Sequence, residues 1–249
     1  MPPCYNSPQI LYKYLDREGA KAFLAEPQLR FTDFRNLNDL FELVPGIERC
    51  SEEILDRKAR DHVKRHPVVG IQESKQVIFR KALGRIDPRY VSRLLRGAIA
   101  ELSDPMHICS LSEVSGSVSQ WERYAERHTG MVFGINPSTP RFTYEKERIL
   151  LPIDYSIGRP SFSMAAPTKD IEKIVTTNGK EWEYEKEWRL VTYDSPEPEI
   201  LKSEEVLEVV FGFHCELDAN PQSYPHLSRT KFFRAIPHYE EYRMDILPC

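Results

Sequence analysis

The 249-residue chain has no apolar run approaching the roughly 20 residues needed to cross a bilayer, and its opening MPPCYNSPQI lacks the charged and apolar regions of an export signal. The expectation is a cytoplasmic protein with no membrane partner. Cysteine is sparse: Cys4, Cys50, Cys109, Cys215 and Cys249 are odd in number, scattered and never spaced CxxC. That pattern suits reduced thiols rather than a disulfide framework or a thiolate zinc site. The seven histidines are equally dispersed, and although His62 and His66 stand at i, i+4, no HExxH glutamate lies between them. A solvated helix face outweighs a metal clamp there, and no metal is expected. Positive charge is also lacking, with 34 Lys and Arg against 38 Asp and Glu for a net charge of -4. A dedicated duplex-DNA binder would carry an excess positive field, so only a local basic patch remains open. Solenoid repeats, low-complexity tracts and a Gly/Ser/Pro linker are absent too.

What is present is globular. Hydrophobic residues make up 41% and charged residues 29%, and 12 Tyr, 12 Phe and 3 Trp argue against disorder. The length suffices for one large domain or two small ones with a core that needs no covalent staples. Gln9 to Tyr14 reads as a strand, Asp16 as the cap of a helix through Leu24, and Leu29 to Thr32 as a second short strand. From about 51 to 105 the periodicity turns helical. Ser51 caps a helix through Arg65, and Asp87-Pro88 opens another whose stripe is Val91, Leu94, Leu95, Ala98, Ile99 and Leu102. Strands follow at 106–111, 131–135, 149–155, 188–193, 206–213 and 231–236. Between them, Ser119 is the expected cap of a helix carrying Trp121 and Tyr124, and Thr168 of one ended by an Asn178-Gly179 turn. Helices in one half and strands in the other predict a single α+β domain, residues 1–249, with a mostly antiparallel or mixed central sheet and a helical section at about 51–105.

Four segments are denser in polar and aromatic groups than packing requires. In LYKY, Tyr12 and Tyr14 share one strand face and Lys13 takes the other, so either side could meet a ligand, or the whole could be an ordinary half-buried strand. In RFTDFRNLNDLFE, Asn38, Asp39, Phe41 and Glu42 could form a loop that holds a planar hydrogen-bonding ligand, or simply an Asx turn. Ser110 and the serines at 112, 115, 117 and 119 lead into a helix start, which favours an anion, although capping alone explains one or two of them and the P-loop glycines and lysine are missing. In EWEYEKEWRLV, four carboxylates fall within seven residues. A strand starting near Tyr184 would put Glu185, Glu187 and Arg189 on one face, where one carboxylate can shift its proton affinity while another stays ionised. A salt-bridged strand edge gives the same pattern.

Taken together, LYKY, LNDLFE, ICSLSE with WERYAERHTG, and YEKEWRLV resemble a widespread microbial family of domains of unknown function that includes AbiGi-like abortive-infection proteins. The resemblance spans Leu11 to Val191, with Leu37, Leu40 and Leu111 departing from the family pattern. A more distant resemblance is to ADP-ribosyltransferases, including DarT-like DNA-modifying toxins. It implies an ADP-ribosyltransferase-like fold and NAD as co-substrate, with Lys13 or Tyr12 on the dinucleotide, Asn38 and Phe41 in the ligand loop, Glu187 catalytic and Glu185 completing an ExE element. Trp121, Tyr124 and Arg189 join the ligand-binding set. The leading expectation is thus an NAD-using ADP-ribosyltransferase-like enzyme in phage defence or a related conflict system, acting on a nucleic-acid or protein acceptor. Two alternatives stand beside it: a non-catalytic partner of an abortive-infection toxin or antitoxin, and a nuclease in which Asp39, Glu42, Glu185 and Glu187 would supply oxygens for Mg²⁺.

Overall fold

The computed structural model describes residues 8–36, 46–47, 106–143, 148–162, 171–193 and 198–249. The helical section expected at 51–105, the loop Asn38 to Glu42 and Thr168 lie outside the described residues. The chain divides into two compact units, Met1–Leu37 with Pro105–Tyr155 and Gly179–Cys249, and Asn38–Asp104 with Ser156–Asn178. Within the second unit, Gly46–Ile47 pairs in parallel with Ser161–Phe162, and a short helix, Ile171–Val175, buries Ile174 and Val175.

The first unit is α+β and is built on one large mixed sheet of nine strands: β1 (Leu11–Leu15), β2 (Thr32–Asp33), β3 (His107–Ser112), β4 (Met131–Ile135), β5 (Ile149–Pro152), β6 (Glu187–Thr192), β7 (Val206–Phe211), β8 (Lys231–Pro237) and β9 (Met244–Pro248). Their order across the sheet is β9-β8-β7-β4-β1-β3-β6-β5, with β2 pairing the start of β3. Neighbours run antiparallel except β7 and β8, which are parallel and therefore joined by a long crossover, residues 212–230. Among the described residues no helix is long and apolar enough to cross a membrane.

Both faces of the central strands are covered, which is why β4 and β6 are buried at every position and read as continuous runs rather than alternating ones. Helix α1 (Arg17–Ala25) covers one face. Asp16 caps it by accepting from the Gly19 N–H at 2.7 Å, and Ala20, Phe23 and Leu24 turn inward. Phe23 stacks on Phe133 with ring centroids 4.0 Å apart, in a core that includes Leu11, Leu111, Trp188, Leu190 and Phe211. Helix α2 (Val118–Tyr124) covers the other face through Trp121 and Ala125, against Tyr14, Val132, Val210 and Ala235. Trp121 is fully buried, its indole N–H donating to the Ser115 carbonyl at 2.7 Å.

Past α2 the backbone takes a rare course. Glu126, Arg127 and His128 are successively left-handed, with φ of 47°, 54° and 66°, at a cost of roughly 1–2 kcal/mol each. Neighbouring contacts offset it: Glu126 accepts from the Arg17 N–H, Thr129 donates to the Glu126 carbonyl, and the His128 carbonyl accepts from His214 N–H at 3.0 Å. The turn closes on two glycines. A Cβ on Gly130 would sit 2.0 Å from the Leu15 carbonyl oxygen, and one on Gly212 would sit 2.2 Å from that of His128.

Several boundaries differ from the sequence reading. The cap of α2 is Ser117, not Ser119, because the Ser117 hydroxyl accepts from Gln120 N–H. Leu29 to Thr32 is not one strand: Gln28–Leu29 pairs with Glu199–Ile200, and β2 begins at Thr32. The strand expected at 149–155 breaks at Ile153, whose N–H turns to the Glu187 carbonyl. Asn178-Gly179 lies in a short extended segment, Thr177–Gly179, rather than a turn. Strand β9 was not anticipated at all.

Gly130→Ala and Gly212→Ala are each expected to cost more than about 2 kcal/mol, because backbone cannot yield as a side-chain tip can. Gly158→Ala meets nothing within 4 Å and should stay within about 0.5 kcal/mol of wild type. Urea-unfolding midpoints compare the three.

Candidate functional site

Period-two geometry and the register assemble one polar region on the α2-bearing face of the sheet. Arg189 stands opposite Ser110 and Glu187 opposite Ser112 across β6 and β3, while Tyr12 stands opposite Ser112 across β1. Residues directly opposite in a ladder point the same way. Ser110, Ser112, Glu187, Arg189, Tyr12 and Tyr14 therefore share this face, and Lys13 takes the other.

Strand β6 starts at Glu187, not Tyr184. Residues Lys180–Glu185 wind into a 3₁₀ helix, and Lys186 reverses it with φ 44° in the left-handed region. The Lys186 carbonyl is fixed by the Glu113 N–H at 3.1 Å, so the chain emerges extended at Glu187. Glu185 consequently lies outside the ladder, at its mouth, while Glu187 lies inside it.

Arg189 is 0% exposed and Glu187 7%. The guanidinium clasps the carboxylate with two bonds, Nε to Oε1 at 2.9 Å and Nη2 to Oε2 at 3.1 Å. Burial alone would raise the carboxylate's pKa. The Arg189 charge and hydrogen bonds, a hydrogen bond from Ser110 and the charge of Lys13 outweigh it and hold Glu187 below the ordinary range. The Tyr155 hydroxyl accepts the Glu187 N–H at 2.7 Å and is itself pushed to high pKa by burial and by the charges of Glu187 and Glu185.

Glu185 is half-buried and held at its backbone. Its carbonyl accepts from the Ser112 hydroxyl at 2.6 Å and the Gln120 amide at 3.2 Å, which leaves the carboxylate on the solvent side with the Tyr124 hydroxyl donating to Oε1 at 3.0 Å. Burial first, then the Glu185 charge, raises Tyr124 well above an ordinary phenol. Tyr184 and the Arg123 guanidinium, stacked 4.3 Å from the Trp182 ring centre, form the rim.

Ser110, Tyr124, Glu185, Glu187 and Arg189 thus come together as one neighbourhood. Trp121 and Tyr14 adjoin it but are committed to packing: their rings meet edge-on at 5.5 Å, and the Tyr14 hydroxyl donates to the Val114 carbonyl at 2.8 Å. Tyr12 donates to Glu208 at 3.0 Å, and burial with that carboxylate's charge pushes it up to about 12. Lys13 spans the sheet from behind, its ammonium donating to the Ser110 carbonyl at 2.9 Å and its stem lining a small cavity of about 70 Å³ with Phe23 and Phe133. Asn38, Asp39, Phe41 and Glu42 lie outside the described residues. Gln120 and Tyr155 belong to the site and escaped the sequence reading. Gln120 sits one helical turn before Tyr124, a spacing that could have paired them. Among the described residues no group of three or more His, Cys, Asp and Glu is gathered as for a metal.

No family model matches the chain, and neither a curated protein nor a solved structure matches it.

Glu187→Gln would take a negative charge from beside the buried guanidinium and should destabilise the protein by about 3–5 kcal/mol at neutral pH. The folded pKa of Glu187 is depressed, so its contribution is complete above the unfolded value of about 4.3 and is lost as pH falls through the lower folded value. Urea midpoints between pH 7 and pH 3 should fall less steeply for the variant. Replacing both Glu187 and Arg189 with Met should recover much of the loss.

Proposed function

We propose that the chain binds NAD, or a closely similar nucleotide, over the region between Glu185, Tyr124 and Glu187, and transfers ADP-ribose to an acceptor in an abortive-infection setting. The observation that carries this reading is the pair of carboxylates of unequal exposure at the mouth of β6: Glu187 inside and held ionised, Glu185 at the rim. A carboxylate has about four acceptor positions. Arg189 uses two of Glu187's and Ser110 a third, so one remains for a ribose hydroxyl. Anionic charge fixed in a poorly hydrated site stabilises the oxocarbenium-like ribose as the bond from its C1′ to the nicotinamide nitrogen breaks. Nicotinamide departs with that electron pair. The acceptor's oxygen or nitrogen bonds to C1′, and its proton passes to Glu185, the carboxylate an acceptor can reach. The ADP-ribosyltransferase-like fold belongs to the same proposal, resting on the α+β sheet with these glutamates at a strand start.

A second reading is favoured by the burial of Glu187 and by its two bonds to Arg189. In it the pair is architectural, and the chain acts by binding a toxin or antitoxin partner without catalysis.

The test is NAD titration followed by ligand NMR signals and free nicotinamide, with Glu185→Gln and Tyr124→Phe as conservative variants, and circular dichroism verifying that each folds. The transferase reading expects saturable binding by all three proteins and nicotinamide release about 10²-fold slower or worse in Glu185→Gln. Absence of binding at millimolar NAD would favour the interaction reading.

A further inference from the structure

Helix α2 has two flanks. Trp121 and Ala125 seat it on the sheet, Gln120 and Tyr124 face Glu185, and at roughly 120–160° around the helix from them stand Val118 and Glu122. On that second side lies a groove of about 540 Å³ between α2, the 212–215 turn and the connection from β8 to β9. Four of the ten large hydrophobic side chains exposed among the described residues gather there: Val118, Phe213, Tyr239 at 87% and Tyr242 fully exposed. Scattered singly they would need no explanation, but gathered around one concavity they mark a binding surface.

The groove's rim is built to stay in place. The Nδ1 of His238 accepts the Glu240 and Glu241 N–H groups at 3.2 and 3.0 Å, and the His238 N–H donates to the Arg243 carbonyl at 2.9 Å. Arg243 is clamped between Glu241 and Asp245. The turn is thereby fixed while its two tyrosine rings stand in water, so little ordering would be lost when they are covered. On the opposite wall the His128 ring stacks on Trp121 at 5.9 Å, its Nδ1 without a hydrogen-bond partner and its Nε2 3.4 Å from Glu122.

The charge of this surface selects the occupant. Glu122, Glu240 and Glu241 line it, and its one arginine is already neutralised by Glu241 and Asp245. Glu122 keeps its side chain 53% exposed beside His128, and Glu240 is exposed as well. Aromatic faces combined with solvent-exposed carboxylates recognise guanidinium groups, which stack on rings and fork onto carboxylates. We propose that this groove is a docking site for a basic, arginine-containing segment of a partner protein, with an arginine side chain seated between Tyr242 and Glu122. It lies across α2 from the Glu185 site and stands independently of the reading proposed for that site.

The test uses the full chain and a defined probe, an uncharged-end Gly-Arg repeat peptide of seven residues, with a Gly-Glu peptide of the same length as control. Amide NMR shifts are followed at physiological salt in wild type, in Tyr242→Ala and in the double variant Glu122→Gln/Glu240→Gln. All three substituted side chains are exposed, and circular dichroism verifies that each variant folds. The proposal expects saturable shifts confined to residues around 118–128, 213–214 and 238–244 with the basic peptide. It further expects binding at least about tenfold weaker in each variant and no response to the acidic peptide. Shifts elsewhere, equal response to both peptides, unchanged affinity in the variants, or concentration-dependent shifts of the same amides without peptide would overturn it, the last in favour of self-association.

Discussion

Arg189 carries a permanent charge to a place water does not reach, and nearly everything on that side of the sheet follows from having to satisfy it. Strand β6 is enclosed by β3 and β5 and buried at every position, so a counter-charge close at hand matters most. The carboxylate is supplied two residues earlier on the same strand, where period-two geometry brings it alongside. Once Glu187 is committed, its surroundings are committed too: the Ser110 hydroxyl beneath it, the Tyr155 hydroxyl on its N–H, and the Lys13 ammonium on the Ser110 carbonyl from the rear. A hydrophobic pair could fill the same volume with equal or greater stability. The polar arrangement therefore shapes what the neighbouring surface offers more than how firmly the sheet holds.

Helix α2 divides that face. Its one fully buried residue, Trp121, joins the aromatic and aliphatic cluster over β1, β4, β7 and β8, while β3 and β6 keep the polar portion. The left-handed turn at 126–128 lets so short a helix end abruptly and return to the sheet at Gly130. That return demands a residue without a side chain, since the Leu15 carbonyl occupies the place a Cβ would take. The helix, its strained exit and the glycines thus form one device. Removing any part of it would shift Tyr124 relative to Glu185.

Much of this was legible in the sequence, and the failures are instructive. LYKY and MVFGI announce strands, Asp16 announces a cap, and the alternation Glu187-x-Arg189 places two charges on one face. The reading erred where alternation imitates extension. The alternation in EWEYEKEW suggests a strand from Tyr184, yet the chain coils from Lys180 to Glu185, and the left-handed residue that ends the coil is a lysine rather than a glycine, so no local signal marks it. Strand β9 went unseen because it is short, ends in proline and follows a polar turn, its place being set by pairing with β8. The parallel match of β7 and β8 is likewise non-local. Tyr155 enters the site through the fold, from a segment that carries no motif, whereas Gln120 lies within the serine-rich run before Trp121 and only its helical spacing to Tyr124 points to it.

The brevity of α2 has a bearing on how this chain can vary. Each residue added to or removed from a helix turns everything beyond it by about 100°. A single insertion before Trp121 would swing the indole out of its seat, and one after it would carry Tyr124 away from Glu185. Val118 and Glu122 on the other flank are tied to the same phase. The segment from Ser117 to Gly130 is therefore intolerant of length change although much of its surface faces solvent, and natural variants of the fold should accommodate insertions in the 212–230 crossover, which has length to spare, before they accommodate any there.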